Sequence, residues 1–112
     1  MTDSEIKFNI QLDKDNIPEK ILWDATQKPE DGPSETNSIS VSLWDGQQKN
    51  TMRIDLWTKE MPVDEMKRFY VDCMGGMAQT ILNSTGDEFM SNEINDLCEK
   101  LVEHLKREAQ QQ

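Results

Sequence analysis

Hydrophobic and polar residues alternate in the first half of the chain, with the two-residue period of half-buried β-strands. Two such segments come first. Their inward-facing residues are Ile6, Phe8, Ile10 and Leu12 in one and Ile21, Trp23 and Ala25 in the other. The turn-forming run Asp13-Lys14-Asp15-Asn16 separates them. The pattern therefore predicts a first hairpin, in which Leu22 points outward.

The same alternation predicts a second hairpin further along the chain. Its inward-facing residues are Ile39, Val41 and Leu43 in one strand and Met52, Ile54 and Leu56 in the other. Asp45 to Asn50 supplies the turn, and pairing Leu43 with Met52 keeps both apolar sides in phase. In this register Trp44 and Trp57 both point outward, near opposite ends of the hairpin.

The segment between the hairpins, residues 27–37, has two prolines, one glycine and no apolar residue (QKPEDGPSETN). Such a composition is typical of a surface loop. We therefore expect residues 27–37 to form a mobile loop without regular structure.

From Pro62 onwards the apolar residues recur every three or four positions, as in amphipathic helices. The first helix is expected to begin at Pro62 and to end within residues 83–87. Gly75-Gly76 weakens it, and close backbone contact with the sheet would explain that pair. Thr85 or Ser91 is the expected cap of a second helix that ends near residue 108. The apolar stripes are Val63, Met66, Phe69, Tyr70, Cys73, Met74, Met77 and Ile81, then Met90, Ile94, Leu97, Cys98, Leu101, Val102 and Leu105.

The element order predicts an α+β fold in one domain, residues 1–112. Two hairpins in residues 6–58 would form an antiparallel four-stranded sheet, and two helices in residues 62–108 would pack on one of its faces. The outer face of the sheet, with Leu22, Trp44 and Trp57, would be left open.

The chain is acidic, with a net charge of −10 and a pI near 4.4. Nucleic-acid binding is not expected, because it requires clustered basic residues. The start of the chain has no export signal and no segment is long and apolar enough for membrane insertion, so we expect a cytoplasmic protein. Cys73 and Cys98 are expected to be buried, reduced thiols.

No pattern of residues indicates a catalytic, metal or cofactor site. His104 is the single histidine, and neither cysteine has a partner at zinc-site spacing. Asp13-Lys14-Asp15 resembles the start of a calcium loop. However, Ile17 occupies the third ligand position and Pro18 occupies the position of the required glycine, so we expect an ordinary turn. Glycine-rich nucleotide motifs are absent as well. We therefore expect a protein that is not an enzyme and uses no cofactor.

The outward-facing tryptophans, Trp44 and Trp57, allow two interpretations. They are covered by their own chain, for instance by residues 27–37, or they anchor a contact with another chain. In the second case Leu22 would widen the patch. The other chain is then either a different protein or a second copy in a homodimer or higher homo-oligomer.

Several stretches of the sequence resemble the family of the gliding motility-associated protein GldC. They are NIPEKILWDAT (residues 16–26), Leu43-Trp44-Asp45, RIDLWTKEMPVDEM (residues 53–66) and Thr85-Gly86-Asp87-Glu88. The likeness runs from about Ile6 to Leu105. The resemblance implies an accessory protein of bacterial gliding motility and type IX secretion, with partners in that machinery and no catalytic residue.

The leading hypothesis is therefore an accessory protein that binds protein partners through Leu22, Trp44 and Trp57. The alternative is a holdase chaperone that binds apolar segments of exported proteins. It rests on topology alone, since four antiparallel strands followed by two helices is also the element order of the SecB-like chaperones.

Overall fold

The computed structural model describes residues 2–111, which form five strands followed by two helices. The elements are β1 (Ile6–Leu12), β2 (Pro18–Ala25), β3 (Ser34–Thr36), β4 (Ser38–Asp45), β5 (Asn50–Trp57), α1 (Val63–Thr85) and α2 (Glu88–Gln110). The chain divides into two compact units at the Met61–Pro62 bond. The α+β class predicted from the sequence is confirmed.

The first sheet has the order β1-β2-β3 and is antiparallel throughout. Its β1–β2 register places Phe8 opposite Trp23 and Ile10 opposite Ile21, so the predicted inward-facing residues share one side. Ile21 is fully buried. The side chain of Asp13 shapes the intervening turn by accepting hydrogen bonds from the backbone N–H groups of Asp15 and Ile17.

Strand β3 lies within the segment that was expected to be an irregular loop. Ser34, Glu35 and Thr36 pair with Trp23, Leu22 and Ile21. A strand of this kind has no apolar alternation to reveal it, because the backbone of β2 supplies the pairing rather than side-chain packing. The expectation of residues 27–37 as a loop without regular structure is therefore wrong for residues 34–36.

The second sheet consists of β4 and β5 alone. Leu43 pairs with Met52, as the apolar pattern predicted. The turn at residues 46–49 is organised by Asp45, whose carboxylate accepts hydrogen bonds from the backbone N–H groups of Gln47 and Gln48. Lys49 closes it with a positive φ of 56°.

The predicted single four-stranded sheet is thus replaced by a three-stranded and a two-stranded sheet. The reason is that β2 has β1 on one edge and β3 on the other, so neither edge is open to β4. The chain then bends at Asn37, between β3 and β4. Within the first unit, residues 1–61, the segment that follows β5 makes two backbone hydrogen bonds to earlier parts of the chain. Thr58 N donates to Asn37 O, between β3 and β4, at 2.8 Å, and Lys59 N donates to Pro18 O, at the start of β2, at 3.1 Å.

Helix α1 begins at Val63, with Pro62 as its N-cap rather than its first residue, and ends before Gly86 in the left-handed conformation. The N-cap of α2 is Asp87, whose carboxylate accepts a hydrogen bond from Met90 N at 3.0 Å. The predicted caps Thr85 and Ser91 are wrong. Thr85 ends α1, where its hydroxyl donates to Ile81 O.

The two helices pack against each other as an antiparallel hairpin. Ser91 is buried in the seam and its hydroxyl donates to Ala78 O at 2.9 Å. About two helical turns further along the seam, Cys98 Sγ lies 3.9 Å from Val71 O. At the open end, the Lys67 ammonium pairs with the Glu108 carboxylate at 2.8 Å. Both cysteines are half-buried rather than buried.

Few apolar side chains are buried in either unit. Among the described residues, only Ile21 and Ala78 form the buried apolar core. Leu43 and Met52 lie on the predicted inner side of the second hairpin, yet they are 53% and 62% exposed. A Cβ added at Gly75 or Gly76 would meet no atom within 4 Å, so packing within the helical hairpin does not require this glycine pair, and its close contact with the sheet stays a prediction. The packing of both helices on one sheet face stays a prediction, as does the single-domain organisation.

Candidate functional site

The two outward-facing tryptophans lie on one face of the β4–β5 sheet. Trp44 pairs with Thr51, and Trp57 pairs with Ser38. Directly paired residues of an antiparallel ladder point to the same side, and every second pair shares that side. Trp44 and Trp57 therefore share a face with the intervening pairs Ser42–Arg53 and Ser40–Asp55. We call these residues (Ser40, Ser42, Trp44, Arg53, Asp55 and Trp57) the tryptophan face.

Both indoles are open to solvent. Trp44 is 66% exposed and Trp57 is 46% exposed. The two rings stand at opposite ends of the hairpin, and six residues of extended strand put their backbones roughly 20 Å apart. Such exposure is against the interpretation in which the acidic segment, residues 27–37, covers both rings.

A hydrogen-bonded polar network fills the space between the two indoles. The Arg53 guanidinium donates to Ser42 Oγ at 2.7 Å and to Ser40 Oγ at 2.8 Å. It also holds the Asp55 carboxylate in a fork, with Nη2 at 2.9 Å from Oδ1 and Nε at 3.2 Å from Oδ2. Ser40 Oγ in turn donates to Asp55 Oδ1 at 2.7 Å. The planar guanidinium is fixed by these bonds, and its charge is balanced by Asp55.

The network keeps Asp55 ionised. Hydrogen bonds from Arg53, and then from the Ser40 hydroxyl, lower the pKa of Asp55 below its usual range. The centre of the tryptophan face is therefore a neutral ion pair with two bonded hydroxyls. It offers a partner polar contacts without a net charge, between two apolar rings.

Leu22, the third residue of the predicted surface, belongs to the other sheet. It lies in β2 between Asn9 and Glu35, on the polar side of the three-stranded sheet, and is half-buried. The structure therefore places Trp44 and Trp57 together on one strand pair and leaves Leu22 outside it. The predicted role of all three in partner binding stays a prediction.

The sequence reasoning missed the polar network, although the signal was present. Pairing Leu43 with Met52 automatically sets Ser42 opposite Arg53 and Ser40 opposite Asp55. Ser40 and Ser42 alternate with the inward-facing residues of β4, and this alternation by itself indicates only that they lie on its polar side. Their cross-strand partners show that they hold an arginine in place.

Two further features of the described residues, 2–111, concern metal binding and membrane crossing. Groups of three or more His, Cys, Asp or Glu side chains that could hold a metal ion are not found there. Neither of the two helices, over the part that is described, combines the length and apolar character that a membrane crossing requires.

The structure thus defines a small α+β protein with two exposed indoles that flank an ordered polar network. A family model described as gliding motility-associated protein GldC-like matches residues 18–107. The chain therefore belongs to the GldC-like family, as its motifs indicated. No curated protein and no solved structure matches the chain.

Proposed function

We propose that this protein is an accessory component of bacterial gliding motility and type IX secretion that works by binding another protein, without catalysis. Family membership supports the cellular process. The observation that carries the binding role is the tryptophan face, where Trp44 and Trp57 are exposed at the two ends of one ordered β-surface.

The chemistry of the tryptophan face suits recognition. Tryptophan and arginine are enriched among the residues that dominate binding energy at protein interfaces. The hydroxyls of Ser40 and Ser42 are already bonded to Arg53, which makes them positioning groups rather than activated nucleophiles. A bound partner would meet a surface whose central side chains already hold their positions.

Magnitudes set a requirement on the partner. A tryptophan exposes about 200 Å² when free, and burying the exposed parts of both rings would contribute roughly 5 kcal/mol at about 25 cal/mol/Å². Association costs about 4–15 kcal/mol before any affinity results. The partner must therefore add contacts of its own, such as hydrogen bonds to the central network. With a net charge of −10 on this chain, a basic partner surface is favoured.

A matched pair of variants tests the tryptophan face. Trp44→Ala with Trp57→Ala removes both rings, while Leu43→Ala with Met52→Ala removes two similarly exposed side chains from the opposite face of the same hairpin. Tagged full-length proteins are used to capture partners from a gliding bacterium, with identification by mass spectrometry. We expect one specific partner that is lost with the tryptophan variant and kept with the leucine-methionine variant.

Circular dichroism establishes that both variants fold. A tryptophan variant that is folded and still retains the partner would refute the proposed surface. Loss of the partner only with Leu43→Ala and Met52→Ala would move the contact to the opposite face.

One observation favours the alternative, a holdase chaperone for exported proteins. Exposed large apolar side chains occur in strands and helices alike, for example Met52 at 62% and Phe89 at 74%. A holdase would suppress the aggregation of several unrelated unfolded proteins, whereas the accessory role predicts one partner and no general suppression. Light scattering during the refolding of two unrelated proteins distinguishes the two functions.

A further inference from the structure

A second apolar surface lies on the helical hairpin. On α1 the residues Val63, Tyr70 and Met77 are seven positions apart, and on α2 so are Met90 and Leu97. Seven residues are almost two helical turns, so each set forms a line along its helix. We call these five residues the helical stripe.

The seam between the helices fixes where the two lines lie. Met77 and Met90 directly precede Ala78 and Ser91, which are joined by a hydrogen bond. Tyr70 and Leu97 directly precede Val71 and Cys98, which form the next contact along the seam. In an antiparallel pair, the residues that precede the seam positions turn to the same side of both helices. The two lines are therefore adjacent, with Met77 level with Met90 and Tyr70 level with Leu97.

The helical stripe is exposed although its side chains are apolar. Val63 is 66% exposed, Met77 51%, Met90 48%, Leu97 44% and Tyr70 38%. The seam residues Ala78 and Ser91, one position away, are buried. A continuous apolar row with this exposure is unusual on a monomer and is typical of an interface.

Charge distinguishes the helical stripe from the rest of the chain. The chain has 22 acidic and 12 basic residues. Within the helical hairpin, the charged residues three or four positions from a stripe residue are Lys67 on α1, Asp87 at the N-cap of α2, and Glu93 and Lys100 on α2. Two acids stand there against two bases, so these flanking positions carry no net charge. Two copies of this acidic protein could therefore approach each other here without the like-charge repulsion that opposes their contact elsewhere.

We infer that the helical stripe is the contact between two copies of this chain, in which two helical hairpins form a four-helix interface. At roughly 90 Å² of exposed surface per side chain, the five residues would contribute about 450 Å² per copy and about 900 Å² per dimer. Apolar atoms make up about 60% of an interface, so the dimer would bury about 1,500 Å² in total. That is the size of a standard, specific interface. Heptad spacing is also the repeat by which helices interdigitate in bundles.

This contact is separate from the tryptophan face and uses the other unit of the chain. A dimer would carry two copies of the tryptophan face, so a partner with two binding segments would gain from their linkage. The self-association proposed here does not depend on the proposed function, and either can fail alone.

Sedimentation of the full-length protein over a range of concentrations tests the inference. The wild type is expected to reach twice its mass of 13.0 kDa. Tyr70→Glu with Leu97→Glu should raise the dissociation constant at least about 100-fold, because four charges would enter the two-fold contact. The control is Leu82→Glu with Val102→Glu, at 36% and 39% exposure. Each lies five residues beyond a stripe residue, Met77 or Leu97, and therefore about 140° around its helix, on the other side of the seam. The control should sediment as the wild type does.

A wild type that remains monomeric at every concentration would overturn the inference. So would a dimer that survives Tyr70→Glu with Leu97→Glu, or one that dissociates only with Trp44→Ala and Trp57→Ala. Circular dichroism monitors the helices. If the glutamate variant loses its helical signal, Tyr70→Ala with Leu97→Ala replaces it, with the same expectations.

Discussion

The β4–β5 hairpin and the helical hairpin both expose apolar side chains, but they do so differently. On the tryptophan face, two large rings stand apart with the bonded network of Arg53 and Asp55 between them. On the helical stripe, five apolar residues lie along two adjacent helices at seven-residue spacing. Separated rings around fixed polar groups select a partner that matches their spacing, whereas a continuous apolar row suits a self-complementary contact. Similar exposure can therefore serve different kinds of recognition.

The largest expected effect comes from crossing the two sets of variants. Trp44→Ala with Trp57→Ala should weaken capture of the partner at least about 100-fold and leave the sedimentation of the protein unchanged. Tyr70→Glu with Leu97→Glu should dissociate the dimer and leave the capture of the partner unchanged, provided that the partner binds through a single segment. If either pair of substitutions abolished both partner capture and dimer formation in a folded protein, the two surfaces would not be independent and the comparison would fail.

The next effect is a gain in stability. Gly75→Ala with Gly76→Ala should raise the free energy of unfolding by up to about 2 kcal/mol, because alanine favours a helix over glycine by about 1 kcal/mol per position. The structure has room for both methyl groups, and neither glycine belongs to the helical stripe. Urea unfolding measures the gain. A loss of stability or of the dimer would show that another surface packs closely there.

A smaller loss is expected at the start of α2. Asp87→Ala removes the side chain that caps Met90 N, which should cost about 1 kcal/mol. Thr85→Ala is the comparison variant, because the Thr85 hydroxyl accepts a hydrogen bond from Asp87 N at 3.1 Å and donates to Ile81 O, whereas the N–H group of α2 that is capped bonds to Asp87. Thermal unfolding followed by circular dichroism compares the two. No loss of stability from Asp87→Ala would contradict the assignment of the cap to Asp87.

The smallest effect is a change in pH dependence at the tryptophan face. The pKa of Asp55 is lowered in the folded protein, so its contribution to stability is present above its ordinary value of 3.8 and is lost as the pH falls through the folded pKa. Arg53→Met removes the main cause, and the pKa of Asp55 should rise towards 3.8. Carboxyl chemical shifts followed by NMR report this change.

Glu108 in the helical hairpin provides the reference for that titration. Its pKa is lowered first by the hydrogen bond from Lys67, in the other unit of the chain. Arg53→Met should leave it unaltered. An unchanged Asp55 titration in the variant would mean that the network of the tryptophan face does not hold the carboxylate in solution.

Local sequence pattern was sufficient for much of this protein. Alternation of apolar and polar residues located β1, β2, β4 and β5 and set Leu43 opposite Met52. The change to a three-to-four residue period at Pro62 located α1 and α2 within a few residues. These features depend on side chains close in sequence, and each such pattern has one geometry that places its apolar residues on a common side. Membership of the GldC-like family was also readable from short motifs.

The tertiary structure decided the features that depend on residues distant in sequence. Ser34–Thr36 joins β2 through backbone bonds that no side-chain pattern records, and this pairing divides the strands into two sheets. The apolar stripe of each helix was predicted to be its packed surface. The buried contact between the helices is instead at Ala78 and Ser91, which the predicted stripes did not include, whereas the stripe residues Tyr70, Met77, Met90 and Leu97 are exposed. A periodic pattern specifies which residues are apolar, but only the neighbouring element determines which of them it covers.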